Sequence, residues 1–174
     1  RAPVSSGSMF PSAKGLYGRK SAVTDSTAKY FEDFEAGERF TTGGRTVTEF
    51  DVMTFVTLTG YLEPLFIDAE YIREKSGFGE RIAPGLLTTA FADALIAQTG
   101  VLHGTGMALL GIQDLKMKAP VKVGDTIRVE VEITEKRKTK NPDRGVVTSR
   151  QVVRNQRGEA VVEYIVSRFI RRRT

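Results

Sequence analysis

Residues 86–97 are the part of the chain that most constrains its fold. Their sequence, LLTTAFADALIA, follows Pro84 and Gly85 and is apolar on nearly every side of a helical projection. Such a helix cannot lie on a surface, and other elements must enclose it on most sides. Asp93 is the exception within it, because an unpaired charge would be costly in an apolar environment, so we expect a partner or an exposed edge there.

The second half of the chain supplies a sheet that can enclose this helix. Residues 126–135 alternate between apolar and polar positions, which is typical of a half-buried strand. Turns rich in Gly, Asn, Pro and Asp separate it from three further extended segments, residues 108–118, 145–153 and 160–170. Because no βαβ units alternate here, the order predicts an α+β domain in which an antiparallel sheet surrounds one central helix.

Shorter elements precede the central helix. Residues 39–47 are predicted to be extended, and Thr48 with Asp51 forms a plausible N-cap for a helix over about residues 49–58. A second short helix is expected over residues 69–75. The buried positions predicted for the first of these helices are Phe50, Phe55 and Leu58.

The two ends of the chain have a different composition. Residues 1–28 are rich in Ser, Gly, Ala and Pro and are predicted to form a flexible arm, within which residues 1–8 resemble a linker placed before a start methionine. Residues 29–174 are predicted to form one domain. The net charge of +5 arises partly from basic residues near both ends, so it does not by itself indicate a nucleic-acid-binding face.

Composition excludes several kinds of chemistry. The chain has no cysteine, which rules out disulfides, thiolate metal sites and cysteine nucleophiles. The only histidine, His103, lies between glycines, so we expect an exposed turn and no metal site there. No apolar run approaches the ~18 residues of a membrane helix, and no secretion signal is visible at the N-terminus. The expected location is the cytoplasm, with no membrane or nucleic acid as a partner.

Four local sequences occur in order with specific spacing: residues 30–37 (YFEDFEAG), 59–68 (TGYLEPLFID), 81–87 (RIAPGLL) and 120–125 (PVKVGD). Together they resemble the MaoC-like acyl-CoA hydratase/dehydratase family over about residues 30–170. The resemblance implies the hot-dog fold, in which a curled antiparallel sheet wraps a central helix. It also implies a homodimer or higher homo-oligomer, because a single curled sheet would leave a strand edge and apolar surface exposed.

Members of this family typically add water to, or remove it from, the α,β double bond of an enoyl-CoA. Their loop motif is approximately Ser/Thr-Gly-Asp-x-Asn-Pro-x-His-x-Asp, in which Asp and His handle the water and its protons. Their central helix begins with His-Gly, and its backbone N–H points at the thioester carbonyl. The resemblance therefore implies fatty acid metabolism, a substrate carried on coenzyme A or an acyl carrier, and no further cofactor.

The chain departs from this motif at the positions that carry the chemistry. Tyr61 stands at the catalytic Asp position, Glu63 at the Asn position and Phe66 at the His position. A phenyl ring cannot transfer a proton. The helix begins with Pro84-Gly85, so the carbonyl-polarising amides from Gly85 and Leu86 onward are retained.

Glu63 and Tyr61 are therefore the candidate catalytic residues of the loop, together with Gly85 and Leu86 at the helix start. Glu63 could act as a displaced base or could be an ordinary solvent-facing carboxylate. Tyr61 could hydrogen-bond the substrate or simply fill space. Phe66 and Pro84 are expected to form apolar walls of the substrate pocket.

Three further residues are candidates for substrate binding. Asp93 could activate water, as carboxylates on this helix do in hot-dog thioesterases, or it could form a structural ion pair. Lys116 and Lys118 alternate along one segment and could contact the phosphates of coenzyme A, or they could serve only to protect a strand edge.

The leading functional hypothesis is an acyl-thioester-binding protein of the hydratase/dehydratase type that lacks the usual hydratase residues. Whether it is an enzyme stays open, although the family default is a hydro-lyase. An acyl-CoA thioesterase on the same fold and a non-catalytic acyl-CoA-binding subunit are the alternatives.

Overall fold

A six-stranded antiparallel sheet forms the framework in the computed structural model, which describes residues 27–173. Its strands are β1 (Arg39–Thr41), β2 (Arg45–Thr46), β3 (Gly106–Met117), β4 (Thr126–Lys138), β5 (Arg144–Arg154) and β6 (Ala160–Arg171). The order across the sheet is β1-β4-β5-β6-β3, and β2 pairs with β4 as well. The predicted single α+β sheet around one helix is confirmed, and the predicted arm lies mostly outside the described residues.

The helices all come before β3. They are α1 (Glu49–Thr59), α2 (Pro64–Ile67), α3 (Ala69–Glu74) and α4 (Gly85–Gln98), and a 3₁₀ turn over Phe31–Asp33 precedes the first strand. The predicted cap of α1 is present: the Thr48 hydroxyl accepts a hydrogen bond from the Asp51 N–H, and the Asp51 carboxylate accepts one from the Thr48 N–H. In the described residues no helix has both the length and the apolar character needed to cross a bilayer.

Helix α4 packs on the inner face of the sheet. Its buried residues are Leu87, Thr88, Thr89, Ala92, Leu95 and Ile96. Leu86, Ala90, Asp93 and Ala97 are exposed, and their spacing of four, three and four places them on one face of the helix. The expectation that α4 is enclosed on most sides therefore holds for its sheet-facing side, whereas residues 27–173 leave one largely apolar stripe of the helix uncovered.

The predicted burial of α1 is wrong for Phe50 and Leu58 and holds only in part for Phe55. Phe50 and Leu58 are 78% and 82% exposed, and Phe55 is half-buried. The residues that reach the core are Val52 and Val56, which are four apart and so lie on one side of the helix. Apolar residues occur on both sides of this short helix, so the sequence alone does not determine which side faces inward.

The predicted extended segment over residues 39–47 is divided into β1 and β2. Between them Thr42 stays next to β4: its N–H donates to the Val129 carbonyl, and its hydroxyl accepts a hydrogen bond from the Val129 N–H, both at 3.0 Å. The bond to the hydroxyl satisfies a buried backbone donor of β4 that the interrupted strand would otherwise leave unpaired.

The two central strands carry polar side chains on the buried face. Gln151 of β5 is the register partner of Tyr164 of β6, and Val147 is the partner of Arg168. Directly paired residues of an antiparallel sheet point to the same side, and alternate residues of β6 share that side. Tyr164 and Arg168 therefore lie on the face that packs against α4.

The C-terminal end of β6 is joined to the 3₁₀ turn by ion pairs. Arg172 contacts the Glu32 carboxylate at 2.9 Å, and the Arg173 guanidinium binds both oxygens of Asp33 at 2.5 and 2.6 Å. The C-terminal clamp, meaning these four residues, ties the last strand to the first described element of the chain.

Candidate functional site

A cavity of about 330 Å³ opens at the start of α4. Phe66 and Phe78 come from the α2–α4 region, Pro84 and Gly85 from the helix start, and Lys118 from the segment after β3. We call it the helix-start cavity. Most of its lining is apolar, and among the described residues Lys118 is the one ionisable residue that lines it.

The amides at the start of α4 lack partners within the helix. The first intrahelical bond runs from the Thr88 N–H to the Pro84 carbonyl at 3.1 Å. The N–H groups of Gly85, Leu86 and Leu87 precede that bond, and Pro84 contributes no side-chain cap. A helix start of this kind carries partial positive charge, which suits a polarised carbonyl oxygen.

Met117, the last residue of β3, lies directly against Gly85. A Cβ atom added at Gly85 would lie 2.8 Å from the Met117 Cε and 2.9 Å from its Sδ. The missing side chain at Gly85 is therefore what allows the thioether to cover the first turn of α4. Both residues line the helix-start cavity.

Of the three candidate residues in the loop, Phe66 lines the helix-start cavity, whereas Tyr61 and Glu63 do not. Phe66 is 5% exposed and forms part of the wall, as expected. Tyr61 is 47% exposed and packs its ring against Phe66, with 5.2 Å between the ring centroids. Glu63 is exposed at the N-terminus of α2 and makes no capping hydrogen bond there.

The two lysine candidates lie near a common carboxylate. A hydrogen bond from Arg150 holds the pKa of Glu163 below its ordinary value, and the charges of Lys116 and Lys118 act in the same direction. Lys118 also lines the helix-start cavity, whereas Lys116 does not. Of the two lysines, only Lys118 is therefore placed to contact the phosphates of a coenzyme A that extends out of this cavity.

A second cavity, of about 240 Å³, lies on the other side of the first turn of α4. Helix α4 contributes Leu86, Thr89 and Asp93, and β6 contributes Tyr164 and Arg168. We call it the Asp93 cavity. Apolar residues of β3, namely Leu109, Ile112 and Leu115, complete the wall.

Asp93 has the partner that its position in an apolar helix requires. Its carboxylate forms an ion pair with the Arg168 guanidinium, whose side chain is 12% exposed compared with 52% for Asp93. Desolvation by burial lowers the pKa of Arg168 from its ordinary value. The pair therefore has one deeply buried member and one member at the rim.

Sequence reasoning missed Tyr164, Arg168 and Met117. The pattern could have shown the first two, because Val162, Val166 and Ile170 mark the buried face of β6 and residues 164 and 168 are in phase with them. Nothing in the sequence places Met117 over Gly85, since that contact depends on how β3 ends beside α4.

Comparison with known families supports the resemblance. A family model described as a MaoC like domain matches residues 33–155. Protein MaoC of Klebsiella aerogenes is 37% identical over 111 residues, which are 64% of this chain and 32% of that protein. The (R)-specific enoyl-CoA hydratase of Rhodospirillum rubrum is 34% identical over 113 residues, 65% of this chain and 75% of that enzyme. The chain thus spans only about a third of the length of the Klebsiella relative.

Solved structures agree in fold. A monoamine oxidase regulatory protein from Archaeoglobus has a TM-score of 0.77 and 36% identity, over 84% of this chain and 97% of that one. The MaoC-like dehydratase from Rhodospirillum rubrum has a TM-score of 0.75 and 28% identity, over 84% and 99% of the two chains. A Mycobacterium tuberculosis protein with a double hot-dog fold has a TM-score of 0.72 at 20% identity, covering 84% of this chain and 45% of that one. The predicted hot-dog fold is confirmed.

Proposed function

This chain belongs to the MaoC-like domain family, and from that premise we propose that it binds an acyl thioester of coenzyme A or an acyl carrier in the helix-start cavity. The thioester oxygen would accept hydrogen bonds from the amides of Gly85 and Leu86. The observation that carries the proposal is the opening of a largely apolar cavity onto a helix start whose amides have no intrahelical partners.

We propose further that hydration by this chain alone is slow. The resemblance puts the two proton-transfer positions at Tyr61 and Phe66, and no carboxylate or imidazole lines the helix-start cavity as the structure describes it. A positioned acid or base contributes about 10²- to 10⁴-fold to a rate, so the loss of both leaves only carbonyl polarisation.

A direct assay separates the functional classes. Purified protein is incubated with crotonyl-CoA and with saturated acyl-CoAs, while enoyl absorbance, free thiol and binding are followed. Binding with little change in absorbance or thiol is the expected result. Rapid enoyl loss would show that another residue has taken over water activation, and the absence of any binding would refute the proposal.

Restoring the family motif tests the position of the site. The variant Tyr61→Asp/Glu63→Asn/Phe66→His brings the loop back to the hydratase pattern, and we expect hydration of crotonyl-CoA to rise by about 10²-fold or more. Phe78→His is the matched control, because it places an imidazole in the same cavity away from the motif. A folded, substrate-binding triple variant with no gain in rate would show that the helix-start cavity is not the reaction site.

A thioesterase is the second candidate, because Asp93 lies on the central helix and lines a cavity. The ion pair between Asp93 and Arg168 argues against Asp93 as a general base. The nearby positive charge stabilises the carboxylate and so makes it a weaker proton acceptor. Release of free thiol that disappears in Asp93→Asn would establish this alternative in place of simple binding.

We also propose that the chain forms a homodimer through β3. This edge strand pairs only with β6 among the described strands, and Met107, Leu109, Leu110 and Ile112 on it are 40–52% exposed. The uncovered stripe of α4 is continuous with it through the Asp93 cavity, which both elements line. A second copy would cover the free strand edge and this apolar surface together.

As part of the proposed acyl-thioester binding, we expect the phosphates of coenzyme A to contact Lys118. A cytoplasmic location is proposed as well. Loss of affinity for acyl-CoA in Lys118→Ala, with no matching loss in Lys116→Ala, would support the phosphate contact. Equal effects of the two variants would contradict the distinction drawn from the cavity lining.

A further inference from the structure

A buried hydroxyl group beside the Asp93 cavity has no hydrogen-bond partner in the described chain. Tyr164 is 2% exposed and lines the cavity, and its hydroxyl has no hydrogen-bond partner among residues 27–173. Its register partner Gln151 is 1% exposed and has an unpartnered Oε1 atom, but it lines a separate cavity of about 30 Å³ and not the Asp93 cavity. Native proteins seldom leave buried polar atoms unpaired, so each such atom calls for an explanation. For the Tyr164 hydroxyl, a hydrogen bond to a ligand bound in the adjoining Asp93 cavity is such an explanation.

The charges around the cavity are already balanced. The buried Arg168 guanidinium carries one positive charge, and Asp93 at the rim supplies the opposite charge. An acyl group bearing a carboxylate would add an unpaired negative charge to a mainly apolar space, which is unfavourable. A neutral group that can both accept and donate a hydrogen bond fits the same space without that penalty.

The position of these groups relative to α4 limits where on an acyl chain such a group would lie. Leu86 and Asp93 both line the cavity, and seven residues of helix separate them by about 10 Å along its axis. A thioester oxygen bound at the helix start would have its third carbon only about 3 Å from the carbonyl carbon, given bonds of ~1.5 Å. The position of Asp93 on the helix is therefore beyond the reach of that carbon.

We infer that an acyl chain whose thioester is held at the helix start extends past Leu86 into the Asp93 cavity, and that this cavity recognises a hydroxyl group carried beyond the third carbon. The Tyr164 hydroxyl would donate a hydrogen bond to its oxygen, and the Asp93 carboxylate would accept one from its hydrogen. Because burial raises the pKa of Tyr164, this side chain stays protonated and remains a donor across the physiological pH range. This inference rests on the proposed acyl-thioester binding and specifies its substrate class.

The test compares acyl-CoAs of one length on the full chain. Dissociation constants are measured by calorimetry for four ligands. Hexanoyl-CoA has no distal polar group, 5-hydroxyhexanoyl-CoA and 6-hydroxyhexanoyl-CoA each carry a hydroxyl group, and adipoyl-CoA carries a terminal carboxylate. We expect at least one hydroxylated ligand to bind about tenfold more tightly than hexanoyl-CoA, as one or two hydrogen bonds would give. Adipoyl-CoA is expected to bind most weakly.

Two variants assign the preference to particular groups. Tyr164→Phe removes only the hydroxyl and should reduce the ratio between hydroxylated and plain ligand to about one. Because this variant deletes an unsatisfied polar atom, its melting temperature should not fall, which distinguishes a binding effect from misfolding. Asp93→Asn leaves Arg168 uncompensated and should shift the preference toward adipoyl-CoA. Tyr71→Phe, on an exposed tyrosine of α3, is the matched control and should keep the wild-type ratio.

The outcomes separate this inference from the function on which it rests. Equal affinity for all four ligands, or a hydroxyl preference that survives Tyr164→Phe, overturns the inference while acyl-thioester binding stands. If none of the acyl-CoAs binds, the proposed function fails and the inference fails with it.

Discussion

At the scale of single residues, Gly85 combines two features of the helix-start cavity, which it lines. Its amide precedes the first intrahelical hydrogen bond of α4, and its lack of a side chain admits the Met117 thioether. The atom that a Cβ would meet belongs to the flexible end of a methionine, so a small substitution displaces that side chain and leaves the backbone in place. Substrate access, more than folding, should therefore respond to changes at this position.

We expect Gly85→Ala to weaken acyl-CoA binding by up to tenfold while changing the free energy of unfolding by less than about 1 kcal/mol. The contact with Met117 costs about 1 kcal/mol as overpacking, and the better helix propensity of alanine offsets a similar amount. Calorimetry and thermal unfolding measure the two effects separately.

Second-site and control variants complete this experiment. Gly85→Ala/Met117→Ala should recover affinity because the crowding atom is gone. Gly43→Ala, at a site where an added Cβ meets nothing within 4 Å, should affect neither quantity. If Gly85→Ala binds acyl-CoA with unchanged affinity, the helix start is not part of the binding site.

At the scale of elements, the sequence predicted the strands and the central helix well. Observed β4, β5 and β6 begin within one residue of the predicted segments, and α4 extends the predicted helix by one residue at each end. Alternation and turn residues act locally, so they suffice for these boundaries. The inward side of α1 and the contact of Met117 with Gly85 depend on tertiary packing, which explains why the first was predicted wrongly and the second was missed.

The C-terminal clamp should make the end of β6 sensitive to acid. A hydrogen bond from Arg173 holds the pKa of Asp33 below its ordinary value of 3.8. For Glu32 the desolvation that would raise its pKa is outweighed by hydrogen bonds from the Arg173 amide and the Arg172 side chain, so this pKa too lies below its ordinary value of 4.5. Carboxyl groups lowered in this way contribute stability above their unfolded pKa values and lose it as the pH falls through the folded ones.

The expected result is a melting temperature that declines as the pH falls below about 4.5, more steeply for wild type than for Asp33→Asn. Both pairs are exposed, so the difference should be small and should shrink in high salt. Hydrogen exchange of the last residues of β6 locates the effect. Parallel declines for the two proteins would show that other carboxyl groups dominate the acid response.

At the scale of the whole molecule, the 12-residue strand β3 forms one edge of the sheet, and no other described strand pairs with its outer side. The exposed apolar residues on it adjoin the stripe of α4 that the described residues leave uncovered. The Asp93 cavity is bounded by both, so a second copy that covers β3 would also help to close that cavity. Dimerisation and substrate selection would then involve the same surface.

Leu110→Lys should convert the dimer to a monomer, because a charged side chain on an edge strand opposes pairing with another strand. Sedimentation velocity at micromolar concentration measures this change. Leu58→Lys is the matched control, since Leu58 is equally apolar and 82% exposed but lies on α1. A monomeric wild-type protein, or a dimer that persists in Leu110→Lys, would contradict the proposed interface.

The unequal lengths of the outer strands have a consequence for how large an assembly can grow. Two copies that meet along β3 would form one continuous sheet related by a twofold axis, with the three-residue β1 of each copy at its outer ends. With the two-residue β2, β1 covers part of β4, so this border offers a further chain a shorter and more interrupted edge than β3 does. Growth of the sheet beyond two chains would consequently be less favourable than pairing through β3.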